Sequence, residues 1–226
     1  MLNLVGGAKL SPLAKALQTY PPLQPPHAGD PLVLTETQTE ENLQAWLQAI
    51  PARLDALHNL LSQVSNDNIE WPEDFPQGEQ SSALITTLHA WASQAWPEVA
   101  TTIPSSPEKP WRNAHRDDSF IAYSMTADIA IAIGEVIRAG RPSWSWNIDR
   151  NPVNITDAMG TINRVVLISH WRGDSEKQVE IDVEDTVAHT FLKSRQKNWY
   201  VEDKWSRLVS ETLSGGHEGV GLDKPN

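Results

Sequence analysis

Asp128 and Glu135 are the residues whose type and spacing come nearest to catalytic chemistry. They lie seven apart in an otherwise apolar stretch, on nearly the same side of any helix formed there, with Arg138 close behind. Desolvation would raise one carboxyl pKa of such a pair and could make it a general acid. The structural reading, which we take as the expectation, is that both carboxylates accept hydrogen bonds. Arg138, Arg141 and the indole N–H groups of Trp144 and Trp146 are the donors in reach, and they would anchor helix to strand.

His115-Arg116-Asp117-Asp118 brings an imidazole, a guanidinium and two carboxylates to the entrance of the same stretch. A hydrolase built on Asp128, Glu135 and His115 is the catalytic alternative. Against it, either aspartate is explained as a helix cap and His115 as a solvated loop residue. The 7 histidines form no HExxH and no pair spaced for one helical face, so neither a metal site nor a cofactor is expected. Nucleophile-elbow, phosphate-loop and dinucleotide fingerprints are absent. With 0 cysteines, thiolate nucleophiles, disulfides and iron–sulfur ligation are excluded. A net charge of −11 argues against nucleic-acid binding, which needs clustered lysine and arginine.

The elements that must position these groups follow from periodicity. Prolines at 12, 21, 22, 25, 26 and 31 mark residues 1–37 as a Pro-rich leader strapped over the surface, with one short helix near Ser11 to Leu17. Thr39 is the expected cap of a helix carrying Leu43, Trp46, Leu47, Ile50, Leu54 and Leu57, bent or broken at Pro51. A third helix runs from about Ser81 to Trp96, ending at Pro97. Residues 38–100 thus form a helical part, and the prolines between 101 and 110 a soft boundary.

Residues 111–214 read as an α+β part. A helix over about 118–139, capped by Asp117 or Asp118, is apolar nearly all round and is expected to cover a small sheet. Strands are expected near 143–149, where Trp144, Trp146 and Ile148 alternate with polar residues, and near 164–170 and 178–183, the last two as a hairpin. Helices over about 184–195 and 203–213 follow, then a Gly-rich tail over 215–226 expected to be loosely held. The whole is α+β, a helical N-terminal part packed on a small C-terminal sheet. No stretch is long and apolar enough to span a bilayer and no secretory signal is evident, so a cytoplasmic protein without a membrane partner is expected.

Acid is concentrated in residues 61–110, where Asp67, Glu70, Glu73, Asp74, Glu79, Glu98 and Glu108 face only Lys109. Trp71, Trp96 and Trp111 lie beside prolines there or just beyond. Aromatic side chains in an acidic rim suit a partner interface, made here of Glu70, Trp71, Glu73, Asp74, Trp96 and Trp111. The other reading is that these indoles staple loops to the core.

The segment Ala127-Asp128-Ile129-Ala130-Ile131-Ala132-Ile133-Gly134-Glu135-Val136-Ile137, followed by Trp144-Ser145-Trp146 and Val165-Val166-Leu167-Ile168, resembles a pattern in small bacterial proteins of unknown function. Some of these are similar to immunity proteins of toxin systems. The resemblance covers about residues 118–170 and brings no catalytic residues. With the absence of catalytic motifs, the net charge of −11 and the acid in residues 61–110, the expectation is a non-enzymatic, acidic binding protein, an immunity protein that neutralises a cognate toxin, one with a basic cleft, by direct binding. A scaffold or assembly role is the further alternative, and the sequence leaves the oligomeric state open.

Overall fold

The computed structural model describes residues 10–65, 69, 71–72, 79–104, 109–174, 176–196 and 203–219. Helix α1 (Pro12–Ala16) starts where Ser11 accepts the Ala14 N–H and Pro12 fills the first position, whose N–H would have no partner in any case. Its Leu13, with Leu17, Tyr20 and Leu23 beyond, is part of the main core. Within the leader the stretch from Leu13 to Leu23 is therefore an inserted segment of the core rather than a surface strap.

Helix α2 (Glu36–Val64) starts four residues ahead of expectation because Thr35, not Thr39, caps it. Thr35 and Gln38 form a reciprocal capping box, whereas Thr39 is buried inside the second turn. The helix runs unbroken through Pro51, which is exposed, so water can reach the carbonyl that proline leaves without a donor. Helix α3 (Glu79–Thr102) likewise continues past Pro97, since Val99 and Ala100 beyond it are fully packed. In both helices burial on the far side of the proline outweighs the lost hydrogen bond.

Helix α4 (Ala122–Gly140) is buried on almost every side, as its composition requires. Neither Asp117 nor Asp118 caps it. A short 3-10 turn, Asp118–Phe120, leads in, and the Asp117 carboxylate accepts instead from Gln24 Nε2 at 2.8 Å.

Strands β1 (Ser145–Ile148), β2 (Val165–His170) and β3 (Gln178–Ile181) form an antiparallel sheet in that order. Trp146 pairs with Leu167 and Leu167 with Ile181, so one apolar row crosses all three strands. Between β1 and β2, Asn151 caps the short helix α5 (Pro152–Thr156). Helices α6 (Val183–Lys193) and α7 (Lys204–Leu213) are capped by Asp182 and Asp203.

The architecture is α+β, with N-terminal helices packed against a small three-stranded sheet. The expectation that α4 covers the sheet needs correction. Helix α4 packs chiefly on α6, α2 and α7, while α2 and α6 lie nearest the strands. Its link to the sheet is local: at Gly134 an added Cβ would fall 2.1 Å from the Trp146 ring.

The glycine-rich segment after α7 is fixed as far as Gly219. Glu218 is buried and accepts from Arg141, from Ser143 Oγ at 2.8 Å and from Ser169 Oγ at 2.5 Å. Arg172 donates its backbone N–H to the Glu218 carbonyl at 2.7 Å, and Gly219 lies flat against the Trp171 indole. The loose tail expected from Gly215 is not found over these residues, because a buried carboxylate with three donors holds it. Among the described residues no helix is long and apolar enough to cross a membrane.

Candidate functional site

Asp128 sits in the middle of α4 with 0% of its surface exposed. Arg53 of α2 grips it with two bonds, Nε to Oδ1 at 2.7 Å and Nη2 to Oδ2 at 2.6 Å. The Tyr20 hydroxyl donates to Oδ2 as well, and the Tyr20 ring lies under the Arg53 guanidinium. This triad joins leader, α2 and α4 at one point. Burial pushes the Asp128 carboxyl up to about 6 even though Arg53 and Tyr20 pull it down. Burial, and the carboxylate beside it, raise the Tyr20 phenol well above its ordinary value.

Glu135 has separate partners. Arg138 Nη1 reaches both its oxygens, at 2.8 and 2.9 Å, and Trp146 Nε1 donates to Oε1 at 2.8 Å. Seven residues of helix separate the two carboxylates by roughly 10 Å along the axis. They are two anchors rather than an acid–base pair. Arg138 and the Trp146 indole are donors expected from the sequence; Arg53 and Tyr20 are not. A signal for Arg53 was present, since it falls on the buried stripe of Trp46, Ile50, Leu57 and Leu60 at helical spacing. An arginine in that register calls for a buried acid.

The four-residue cluster at the entrance to α4 disperses. His115 is exposed, Arg116 is buried, and Asp118 is exposed in a left-handed conformation with φ 43°. Arg116 takes both oxygens of Glu184, at 2.7 and 2.8 Å. Glu184 also accepts from Arg164 at 3.1 Å, and Arg164 pairs with Asp182. Next to it Asp185 accepts from Arg112 Nη2 at 2.8 Å and Trp111 Nε1 at 3.1 Å. This second network ties the start of α6 to the 111–116 loop. The cleft above it, about 60 Å³, holds water-sized groups and not a substrate. With Asp128 enclosed and His115 in solvent, the hydrolase constellation is not assembled. Among the described residues no group of three or more acidic or histidine side chains could hold a metal.

Of the expected interface residues, two are corrected. Trp96 is fully enclosed, edge-on to Phe191 and tilted against Trp205. Trp111 is buried against Tyr123. Both staple elements to the core. Trp71 is half-buried and stacks on His58 at 5.5 Å. Glu70, Glu73 and Asp74 lie outside the described residues.

The surface that sequence reasoning missed lies elsewhere. Leu32, Val33, Val153, Ile155 and Met159 are 48% to 74% exposed. An open groove of about 600 Å³ runs along the first turns of α2, lined by Glu36, Glu40, Glu41, Pro26 and Arg150 among others. No periodicity betrays such a patch, because its residues come from a three-residue 3-10 turn, a five-residue helix and the loop after it, all too short to show a repeat. Comparison with family models, with curated proteins and with solved structures finds no match for the chain.

Proposed function

We propose that the chain is an acidic, non-enzymatic binding protein, an immunity protein that neutralises a cognate bacterial toxin by protein–protein contact. The observation that carries this reading is the engagement of both candidate catalytic carboxylates by internal donors, Asp128 by Arg53 and Tyr20 and Glu135 by Arg138 and Trp146. They serve as anchors, which leaves the net charge of −11 to act at the surface. An acidic surface accelerates encounter with a basic cleft and can occupy it in place of a polyanionic substrate. Toxins that act on nucleic acids present such clefts. The partner is therefore a basic protein, and the interaction needs no cofactor, nucleic acid or membrane.

The test is co-expression with the product of the neighbouring gene, followed by isothermal titration of the purified pair. Rescue of growth and a stable complex are expected. Charge reversal at Glu70, Glu73 and Asp74 should slow association and flatten its salt dependence if that segment takes part. Absence of rescue and complex, together with a hydrolytic activity lost on Asp128→Asn at unchanged melting temperature, would replace the binding reading with the enzymatic one.

A further inference from the structure

We infer that the face formed by Leu32 and Val33 on one side and Val153, Ile155 and Met159 on the other docks a basic protein, one that presents apolar side chains framed by lysine or arginine. This rests on the binding-protein reading above and adds where the partner sits. Among the described residues, these five are the large apolar side chains that stand open to solvent. Scattered exposure of this kind is ordinary on any surface; confinement to two adjoining segments is not.

Asn163 Nδ2 donates to the Pro31 carbonyl at 3.0 Å, and the Ile162 N–H reaches the Met159 carbonyl at 3.3 Å. The loop that follows Met159 is thus tied to the Pro31–Val33 turn through Asn163. Each is also held rigidly. Asp30 caps the Leu32 N–H at 3.0 Å, and Asn151 caps the Val153 N–H at 3.0 Å. The buried Asp149 carboxylate accepts from Asn154 Nδ2 at 2.8 Å and from the Asn151 N–H at 2.9 Å. A fold that fixes a backbone this firmly and leaves its apolar side chains in water has a surface prepared for association, with little ordering cost on binding.

Charge decides among the occupants. Asp30 and Asp157 flank the apolar residues in the chain, and Glu36, Glu40 and Glu41 line the groove at the start of α2, where Arg150 faces Glu36 and Glu40 and His27 pairs with Glu41, so that five carboxylates outnumber two cationic groups. A second copy of the chain would set carboxylates against carboxylates, and an anionic bilayer would be repelled in the same way. A cationic protein complements the rim, while its apolar side chains cover the centre, the usual anatomy of an interface.

The test uses the full chain in its native cells with the photo-crosslinking residue benzoylphenylalanine placed singly at Val33, Ile155 or Trp71. The expected result is an adduct from positions 33 and 155 with one basic protein. That protein, once purified, should bind less tightly as salt rises, and at least tenfold less tightly to Val33→Asp or Ile155→Asp variants whose melting curves are unchanged. Adducts from position 71 but not from 33 or 155 would overturn this surface and leave the binding reading standing. A covalent dimer of the chain would overturn the basic partner. No adduct from any of the three positions would overturn both the surface and the binding reading.

Discussion

The indole ring of Trp146 fills the space in which a Cβ on residue 134 would lie, 2.1 Å from its nearest ring atom. Glycine at 134 weakens the α4 helix by about 1 kcal/mol relative to alanine. In return, the ring lies against the helix backbone and its Nε1 reaches Glu135. Gly134→Ala should therefore destabilise by about 1 to 3 kcal/mol in urea denaturation, the overpacking loss exceeding the helix-propensity gain. A neutral or stabilising result would show that the ring can move.

Arg53 and Asp128 form a buried pair, with side chains 8% and 0% exposed. Arg53→Ala strands a carboxylate without solvent and should destabilise by about 3 to 5 kcal/mol. Tyr20→Phe removes only one donor to that carboxylate and should cost about 1.5 to 3 kcal/mol. The double variant should lose less than the sum, because both singles remove donors from the same group.

Acidification acts on the fold through groups of opposite sign, Asp128 and His89 among them. Asp128 titrates at about 6 in the folded chain against an ordinary 3.8. The stability it contributes is fully present below the lower value and lost as pH rises through about 6. Burial depresses His89 below its ordinary 6.5, although Asp203 opposes this. Its contribution is present above 6.5 and lost as pH falls through its folded value. Melting temperature measured from pH 7.5 to 4 should lose its acid-side gain in Asp128→Asn and its acid-side loss in His89→Gln.

Burial raises the Glu218 carboxyl, but the bonds from Ser169, Ser143 and Arg141 together hold it below its ordinary value. Its stabilisation is present above the ordinary carboxylate range and lost as pH falls through the lowered value. Glu218→Ala should cost about 2 to 4 kcal/mol, since Arg141 and two serines lose their common acceptor. Hydrogen exchange should then quicken at Arg172, whose N–H bonds the Glu218 carbonyl.

Much of this fold is written in local pattern. The Trp144-Ser145-Trp146 alternation and the aliphatic run from Val165 mark β1 and β2, and the all-round apolarity of α4 marks a central helix. Two things escaped. Pro51 and Pro97 look like helix ends locally, yet packing beyond them carries both helices through. The partners of Asp128 stand 75 and 108 residues away, and no periodicity in one sequence links Tyr20 to α4. The donors to Glu135, only 3 and 11 residues away, were legible for the same reason in reverse. Trp96 misled because its neighbours Pro97 and Glu98 suggest an exposed helix end, whereas α3 runs on and Phe191 and Trp205 enclose the indole.

The insertion of Leu13, Leu17, Tyr20 and Leu23 into the core has a consequence for synthesis. These residues leave the ribosome well ahead of α4, and Tyr20 meets Asp128 only after more than a hundred further residues have emerged. At about 5 to 20 residues per second the Tyr20 hydroxyl waits roughly 5 to 20 seconds for that acceptor, while α1 can already pack on α2. In this protein a strip of the core is made more than a hundred residues ahead of the carboxylate that anchors it.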